Sequence, residues 1–117
     1  MYRAREEHQQ YEKMFGIKIP AAVLADRLAL RAQMSTVYAS YRPFGTSMIF
    51  AAKDSLKPTA SLFMVEPSGA CFEYFGCASG RGKQLARNEI EKKKFQEMTV
   101  ADALPHIAQI LLKCQEE

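Results

Sequence analysis

The strongest local constraint in the sequence is Glu66-Pro67-Ser68-Gly69, set between two short apolar runs, Ser61 to Glu66 and Ala70 to Gly76. Pro67 fixes φ for the second position of a tight turn, and Gly69 suits the fourth. The flanking runs are β-branched or aromatic in part, as strands are. They predict an antiparallel hairpin. A third such run, Thr46 to Ala52, extends it to a three-stranded meander. Alternation places Phe63, Val65, Phe72 and Tyr74 on one face, and Leu62, Met64, Cys71 and Phe75 on the other. Both faces are apolar, so both need covering.

Helical patterns flank the meander. Met1 to Phe15 is polar with a thin stripe of Ala4, Tyr11, Met14 and Phe15, and Gly16 supplies a C-terminal stop. No Ser, Thr, Asp or Asn caps its start, so the pattern reads as beginning inside a helix. Pro20 is expected to open a second helix at its first position. There Val23, Leu30, Met34, Val37 and Tyr41 share one side, extended by Leu24 and Leu28. Ala25, Ala29, Ala32 and Thr36 form a second face of small residues, suited to close approach of another helix. A helix apolar on so many sides is expected to be sandwiched. Arg27 and Arg31 should pack their stems and pair or expose their heads.

Tyr41-Arg42-Pro43-Phe44-Gly45 breaks the helical period, since Pro43 disfavours the α conformation at Arg42. Beyond the meander, a third helix is predicted from the Cys77 to Gly82 turn to about Phe95, packing through Leu85, Ala86 and Ile90. Glu89 and Lys93 fall at i, i+4 on its wet side. Thr99 and Asp102 predict a capping box for a fourth helix, striped by Val100, Leu104, Ile107, Leu111 and Cys114. Pro105, inside that helix, predicts a kink or a wide first turn. Gln115-Glu116-Glu117 offers neither glycine nor favourable charge at the helix end, which reads as cut.

Composition excludes several classes. The chain has 117 residues, 48% hydrophobic and 25% charged, as in one folded domain. Its net charge of +3 is too slight for a nucleic-acid binder. Lys92-Lys93-Lys94 lies among Glu89, Glu91 and Glu97 and reads as a solvated helix face. No apolar run approaches the roughly 18 residues of a membrane span, so no membrane partner is expected. The residues after Met1 lack the apolar stretch of a secretory signal. Three cysteines without C-x-x-C spacing suit neither a disulfide framework nor zinc, and point to a reducing compartment.

Little in the sequence carries chemistry. Gly76 to Lys83 lies between a strand and a helix but fails the phosphate-loop pattern, because Gln84 follows Lys83. It reads as a tight turn. His8 and His106 have no partners at metal-ligand spacing. Cys77 lies near a helix N-terminus, which can lower a thiol pKa, yet buried packing is the better reading. No nucleophile and base can be paired by spacing. No catalytic residue, metal or cofactor is expected.

Four motifs follow one another along the chain. They are Arg42-Pro43-Phe44-Gly45; Glu66-Pro67-Ser68-Gly69; Gly80 with Gln84, Ala86 and Glu89-Ile90-Glu91; and Met98-Thr99-Val100-Ala101-Asp102-Ala103. Their order and spacing resemble the α-type subunits of the proteasome core particle. Within that family, Gly76-Cys77-Ala78, Glu89-Ile90-Glu91-Lys92 and Glu97-Met98-Thr99 are most similar to the subunit at the seventh ring position. Pro105 departs from the pattern, since the family's helix is usually uninterrupted there.

The resemblance implies an α+β fold, a partial Ntn-hydrolase-type αββα sandwich, as a single partial domain over residues 1–117. The gate segment and first strands of the family, and its last strands, would lie outside it. It implies a non-catalytic subunit of the seven-membered α ring, serving ring assembly, substrate gating and regulator docking in ubiquitin-dependent degradation. Cytoplasm and nucleus are the expected locations. The expected partners are other α subunits, the β ring and, at full length, a regulatory particle; in isolation, a homo-oligomer. No cofactor is implied. Arg42, Pro43, Phe44, Gly45, Glu66, Pro67, Ser68, Gly69, Gly80, Gln84, Glu89, Thr99 and Asp102 transfer as structural positions only. Two other classes are weighed against it. A β-type subunit or other Ntn hydrolase needs an N-terminal Thr, Ser or Cys with its own amine as base, which Met1-Tyr2 does not offer. The other is a free-standing interaction module.

Overall fold

A computed structural model describes residues 1–54 and 57–116 of the chain. Glu117, the last residue of the helix end read from the sequence, lies outside them. Two units are distinguished, Met1–Tyr74 and Phe75–Glu117. The first holds α1 (Tyr2–Phe15), α2 (Ala21–Val37), β1 (Met48–Ala52), β2 (Ser61–Val65) and β3 (Cys71–Tyr74). The second holds α3 (Lys83–Lys92), a 3-10 turn at Phe95–Glu97, and α4 (Val100–Glu116).

The meander is antiparallel in the order β1-β2-β3. Its second turn differs from the simple tight turn. The Gly69 N–H donates to the Glu66 carbonyl at 2.9 Å, and the Glu66 N–H donates to the Ala70 carbonyl, also at 2.9 Å. Gly69 takes a left-handed φ of 89°. This is the bonding of a hairpin loop with a G1 bulge, in which one extra residue makes Glu66 face Ala70. Val65 therefore pairs with Cys71, Met64 with Phe72, Phe63 with Glu73 and Leu62 with Tyr74. A shift of one residue moves a whole strand's side chains to the opposite face. Phe63 and Val65 thus share a face with Cys71 and Glu73, while Phe72 and Tyr74 join Leu62 and Met64. The faces expected from alternation alone are corrected accordingly; Phe75 lies past the end of β3.

The Phe63–Val65 face receives α2 through its small residues. Ala21 and Ala25 cluster with Phe63, and Ala29 and Ala32 with Val65; Phe50 and Cys71 pack against both groups. The small face therefore meets a sheet and not a helix. Alanines bring the helix backbone close to the strands, where dispersion contacts are densest. That closeness leaves the bulky side of α2 outward: Leu30 is 57% exposed and Val37 71%; Tyr41, expected on the same face, lies past the end of the helix and is 69% exposed. The expected sandwiching is not observed on this side.

Helix ends show where local and distant groups share the work. Gly16, at φ 70°, donates to the Glu12 carbonyl at 2.8 Å and closes α1. Pro20 is the N-cap of α2, extended at φ −62° and ψ 146°, and so lies one position before the expected first turn. The free N–H of Ala21 is taken by Asp54 Oδ1 at 2.8 Å, from beyond β1. No residue of α1 is buried, so Met14 and Phe15 do not form the expected packing stripe.

In the second unit α3 stops at Lys92, because Lys93 is extended at φ −113° and ψ 132°. Glu89 consequently pairs with Lys92 and not with Lys93. Cβ atoms built on Gly76 and Gly82 would lie 2.7 Å from Ile90 Cγ2 and 3.0 Å from Cys114 Cβ, so both turns fit closely. Thr99 Oγ1 accepts the Asp102 N–H at 3.3 Å and donates to Asp102 Oδ2 at 2.6 Å. That is half of the expected box, the carboxylate serving the hydroxyl instead of the Thr99 N–H. Helix α4 runs on through Pro105. Ile110 is buried, whereas Val100, at 77% exposure, and Leu104, Ile107 and Leu111 are open to solvent.

Gly69→Ala should destabilise the chain by about 1–3 kcal/mol from the left-handed backbone alone, and by more because the new Cβ would sit 2.6 Å from Gln33 Cβ and 2.9 Å from the Ala29 carbonyl oxygen. Gly45→Ala, with nothing within 4 Å and no such φ, should stay within about 0.5 kcal/mol of the parent. Urea unfolding of both variants checks the contrast. Asp54→Ala should cost about 0.5–2 kcal/mol through the lost cap, and hydrogen exchange should show faster opening at Ala21.

Candidate functional site

A concave feature of the first unit is built by the way α1 meets α2. With no apolar residue of α1 buried, the two helices are joined through polar groups. Arg27 Nη1 donates to Glu7 Oε2 at 3.0 Å, and its guanidinium carbon lies 5.3 Å from the centre of the Tyr11 ring. A planar cation can serve a carboxylate and an aromatic face together. Nearer the start of α1, Arg3 Nη1 donates to Glu6 Oε2 at 2.8 Å. Beyond these contacts a groove of about 880 Å³ opens along the outer side of α2. Leu30, Met34, Tyr38, Tyr41 and Phe44 give it an apolar wall, and Arg3, Glu7, Arg27 and Arg31 supply its charge. Ser35, also in the lining, spends its hydroxyl on the Ala32 carbonyl at 2.6 Å. The groove offers apolar area and guanidinium donors, the means of binding.

Of the motif residues, Phe44 alone lines this groove; Arg42, Pro43 and Gly45 lie in the exposed chain after α2. Glu66, Pro67, Ser68 and Gly69 make the bulged turn, where Ser68 Oγ approaches the Ala70 N–H at 3.4 Å. Gly80 takes φ 115° ahead of α3, where its carbonyl receives the Lys83 N–H at 3.3 Å. Gln84 Nε2 donates to Asn88 Oδ1 at 3.2 Å on the exposed side of α3. Glu89 accepts Lys92 at 2.8 Å and Lys113 at 3.2 Å, tying α3 to α4. Thr99 and Asp102 begin α4. These positions set turns and helix ends; the structure does not bring them to one point. The Glu7–Arg27–Tyr11 contact and the Asp54 cap went unread because their partners are far apart in sequence, with no local signature.

The titratable groups describe scaffolding. Burial pushes the Cys71 thiol up, with the Asp26 charge adding to it. Burial also pushes the Cys77 thiol up, outweighing the opposing pull of Arg87. The packing reading of Cys77 therefore stands over activation at a helix N-terminus, since a raised thiol is a poorer nucleophile at neutral pH. Lys93 Nζ lies 2.6 Å from His106 Nδ1; an ammonium has only protons to give, so that nitrogen accepts. Among the described residues, no three His, Cys, Asp or Glu side chains gather in a metal-binding group.

Comparison with known proteins decides the family. The family described as "Proteasome subunit" matches residues 1–117. The chain belongs to the proteasome subunit family. It is 44% identical over 115 residues to "Proteasome subunit alpha type-3" of Dictyostelium discoideum, covering 98% of this chain and 46% of that protein. It is 43% identical to the protein of the same name from Spinacia oleracea, and 43% to "Probable proteasome subunit alpha type-7" of Schizosaccharomyces pombe, each covering 98% of this chain and 45% of the relative. The chain thus spans a little under half the length of these relatives. The resemblance carried by the four motifs is borne out, including its leaning toward the type-3 α subunit. The family fits the Ntn-hydrolase fold, and four helices with a three-stranded antiparallel sheet are consistent with part of it.

The bridge at Glu89 has a signature in pH. Hydrogen bonds from Lys92 and then Lys113 hold its carboxyl below the ordinary range. A lowered folded-state value means the bridge contributes in full above the ordinary carboxylate pKa and is lost as pH falls through the lowered one. Glu89→Gln should remove that part of the acid limb, so parent and variant should converge in stability toward low pH. Urea melts from about pH 7 down to pH 3, spanning the carboxylate range, check it.

Proposed function

We propose that the chain acts as a structural, non-catalytic subunit of the proteasome α ring, in the type-3 position. The observation that carries this reading is the similarity over 98% of the chain to a protein named proteasome subunit alpha type-3. Its role is then to support ring assembly, substrate gating and regulator docking in ubiquitin-dependent degradation, in cytoplasm and nucleus. The other α subunits and the β ring are its partners, with a regulatory particle acting on the full-length protein. On this reading residues 1–117 form one partial domain of the αββα sandwich, whose second sheet would cover apolar surface left open here.

Exposed apolar residues support a subunit role. Leu30 and Val37 on α2, Tyr41 in the chain after it, and Val100, Leu104 and Leu111 on α4 are each more than half exposed. Burying a large apolar side chain is worth roughly 1.5–3 kcal/mol, so surfaces of this kind favour association.

Affinity purification of the tagged chain from cells that make it should bring down other α and β proteasome subunits in a particle of core size. Recovery of the chain without them would overturn the reading. Isolated, it should self-associate at low micromolar concentration in sedimentation and bind a dye for apolar surface, without hydrolysing fluorogenic peptides. Saturable turnover with covalent labelling by a threonine-protease inhibitor would favour a catalytic subunit instead.

A further inference from the structure

Lys92, Lys93 and Lys94 are consecutive but meet different partners. Lys92 Nζ donates to Glu89 Oε1 at 2.8 Å, and Lys94 Nζ lies 3.6 Å from Glu97 Oε1. Lys93 is turned another way, because α3 has ended and the backbone there is extended. Its Nζ reaches across 13 residues of sequence to His106 Nδ1 on α4, at 2.6 Å. Both members of this contact are half-buried, whereas Lys92 and Lys94 are exposed. The outer lysines thus face carboxylates, and the middle one faces an imidazole nitrogen with a free electron pair.

We infer that Lys93 is a site of acylation by small acyl thioesters, with His106 as the base that takes its proton. A nucleophile held within hydrogen-bond reach of a base is the arrangement that activates an amine. Imidazole is a far stronger base than a carboxylate, so the partners of Lys92 and Lys94 hold ammonium groups in place without drawing a proton from them. Of the three protons on Lys93 Nζ, one passes to His106 Nδ1 and frees the electron pair. That pair attacks the acyl carbon, and the carbon–sulfur bond breaks with its electrons on sulfur. A second proton goes to the departing sulfur, giving a thiol; the third stays on the new amide nitrogen, and His106 returns its proton to water. Acylation removes the lysine charge, and with it the charge-assisted bond that joins the end of α3 to α4. Both residues lie in the second unit, so the inference stands apart from the ring reading.

The test incubates the full chain with acetyl-CoA at neutral pH, cleaves it after glutamate and sequences the peptide of residues 92–97 by mass spectrometry. Lys93 should be acetylated at least about tenfold faster than Lys92 and Lys94, a positioned base contributing roughly a hundredfold or more where the acyl donor is also held. His106→Asn keeps an acceptor near the Nδ1 position without the base, and should bring Lys93 down to the rate of its neighbours. Lys113, held by Glu89 in the same helix pair, is the internal standard, and its rate should be unchanged in the variant. In concentrated urea the parent should lose the difference too, an arm that needs no variant to fold. Equal rates at the three lysines of the folded chain would overturn the inference. So would an excess at Lys93 that survives His106→Asn, or a change in that variant shared equally by Lys93 and Lys113. An excess that persists in urea would overturn it as well, since it would then belong to the local sequence and not to His106.

Discussion

The contact between the Gly69 bulge and α2 is the constraint on which the first unit depends. The bulge decides which side chains of β3 face the helix, and its backbone lies so near Gln33 and Ala29 that no side chain fits between. Register and helix placement are therefore a single fact. With the bulge, Cys71 joins Phe63 and Val65 under α2. Without it, Phe72 would turn toward the same alanines and hold the helix away from the strands.

Much of the element order was legible because each element announces itself locally. Gly16 stops α1 and Thr99 with Asp102 marks the start of α4, whereas α2 already ends at Val37, ahead of the break read at Pro43. The strands were legible as strands but not as faces. A turn of Pro, Ser and Gly is compatible with either loop length, and the difference of one residue is settled by the helix packed against it. The same limit applied to α2. Its two apolar sides were visible, but large side chains suggested the buried one, whereas proximity to the sheet favours the small. Asp54 capping Ala21 and Arg27 bridging Glu7 to Tyr11 depend on residues far apart in the chain, which no local pattern records.

The candidate site was less legible than the fold. The motif residues that identify the family hold turns and helix ends, so their spacing revealed kinship and architecture. The α2 groove is lined mainly by residues outside those motifs, with Phe44 as the link. Its arginines were expected to pair or to be exposed, and Arg27 and Arg31 divide those roles between them. The thiols follow the same division between scaffold and surface, since burial makes Cys71 and Cys77 less reactive and suits them to packing.

The alanine face of α2 has a consequence for how this sequence can drift. Ala21, Ala25 and Ala32 are each about 1% exposed and set the spacing between helix and sheet, so one added methyl group there has no free volume to enter. Leu30 and Val37, though larger and more apolar, leave the sheet contact untouched when they change. Apart from Leu28, which is itself buried, tolerance to substitution in α2 is thus inverted relative to side-chain size: the alanines are held by the fold, and the exposed large residues only by whatever comes to rest on them.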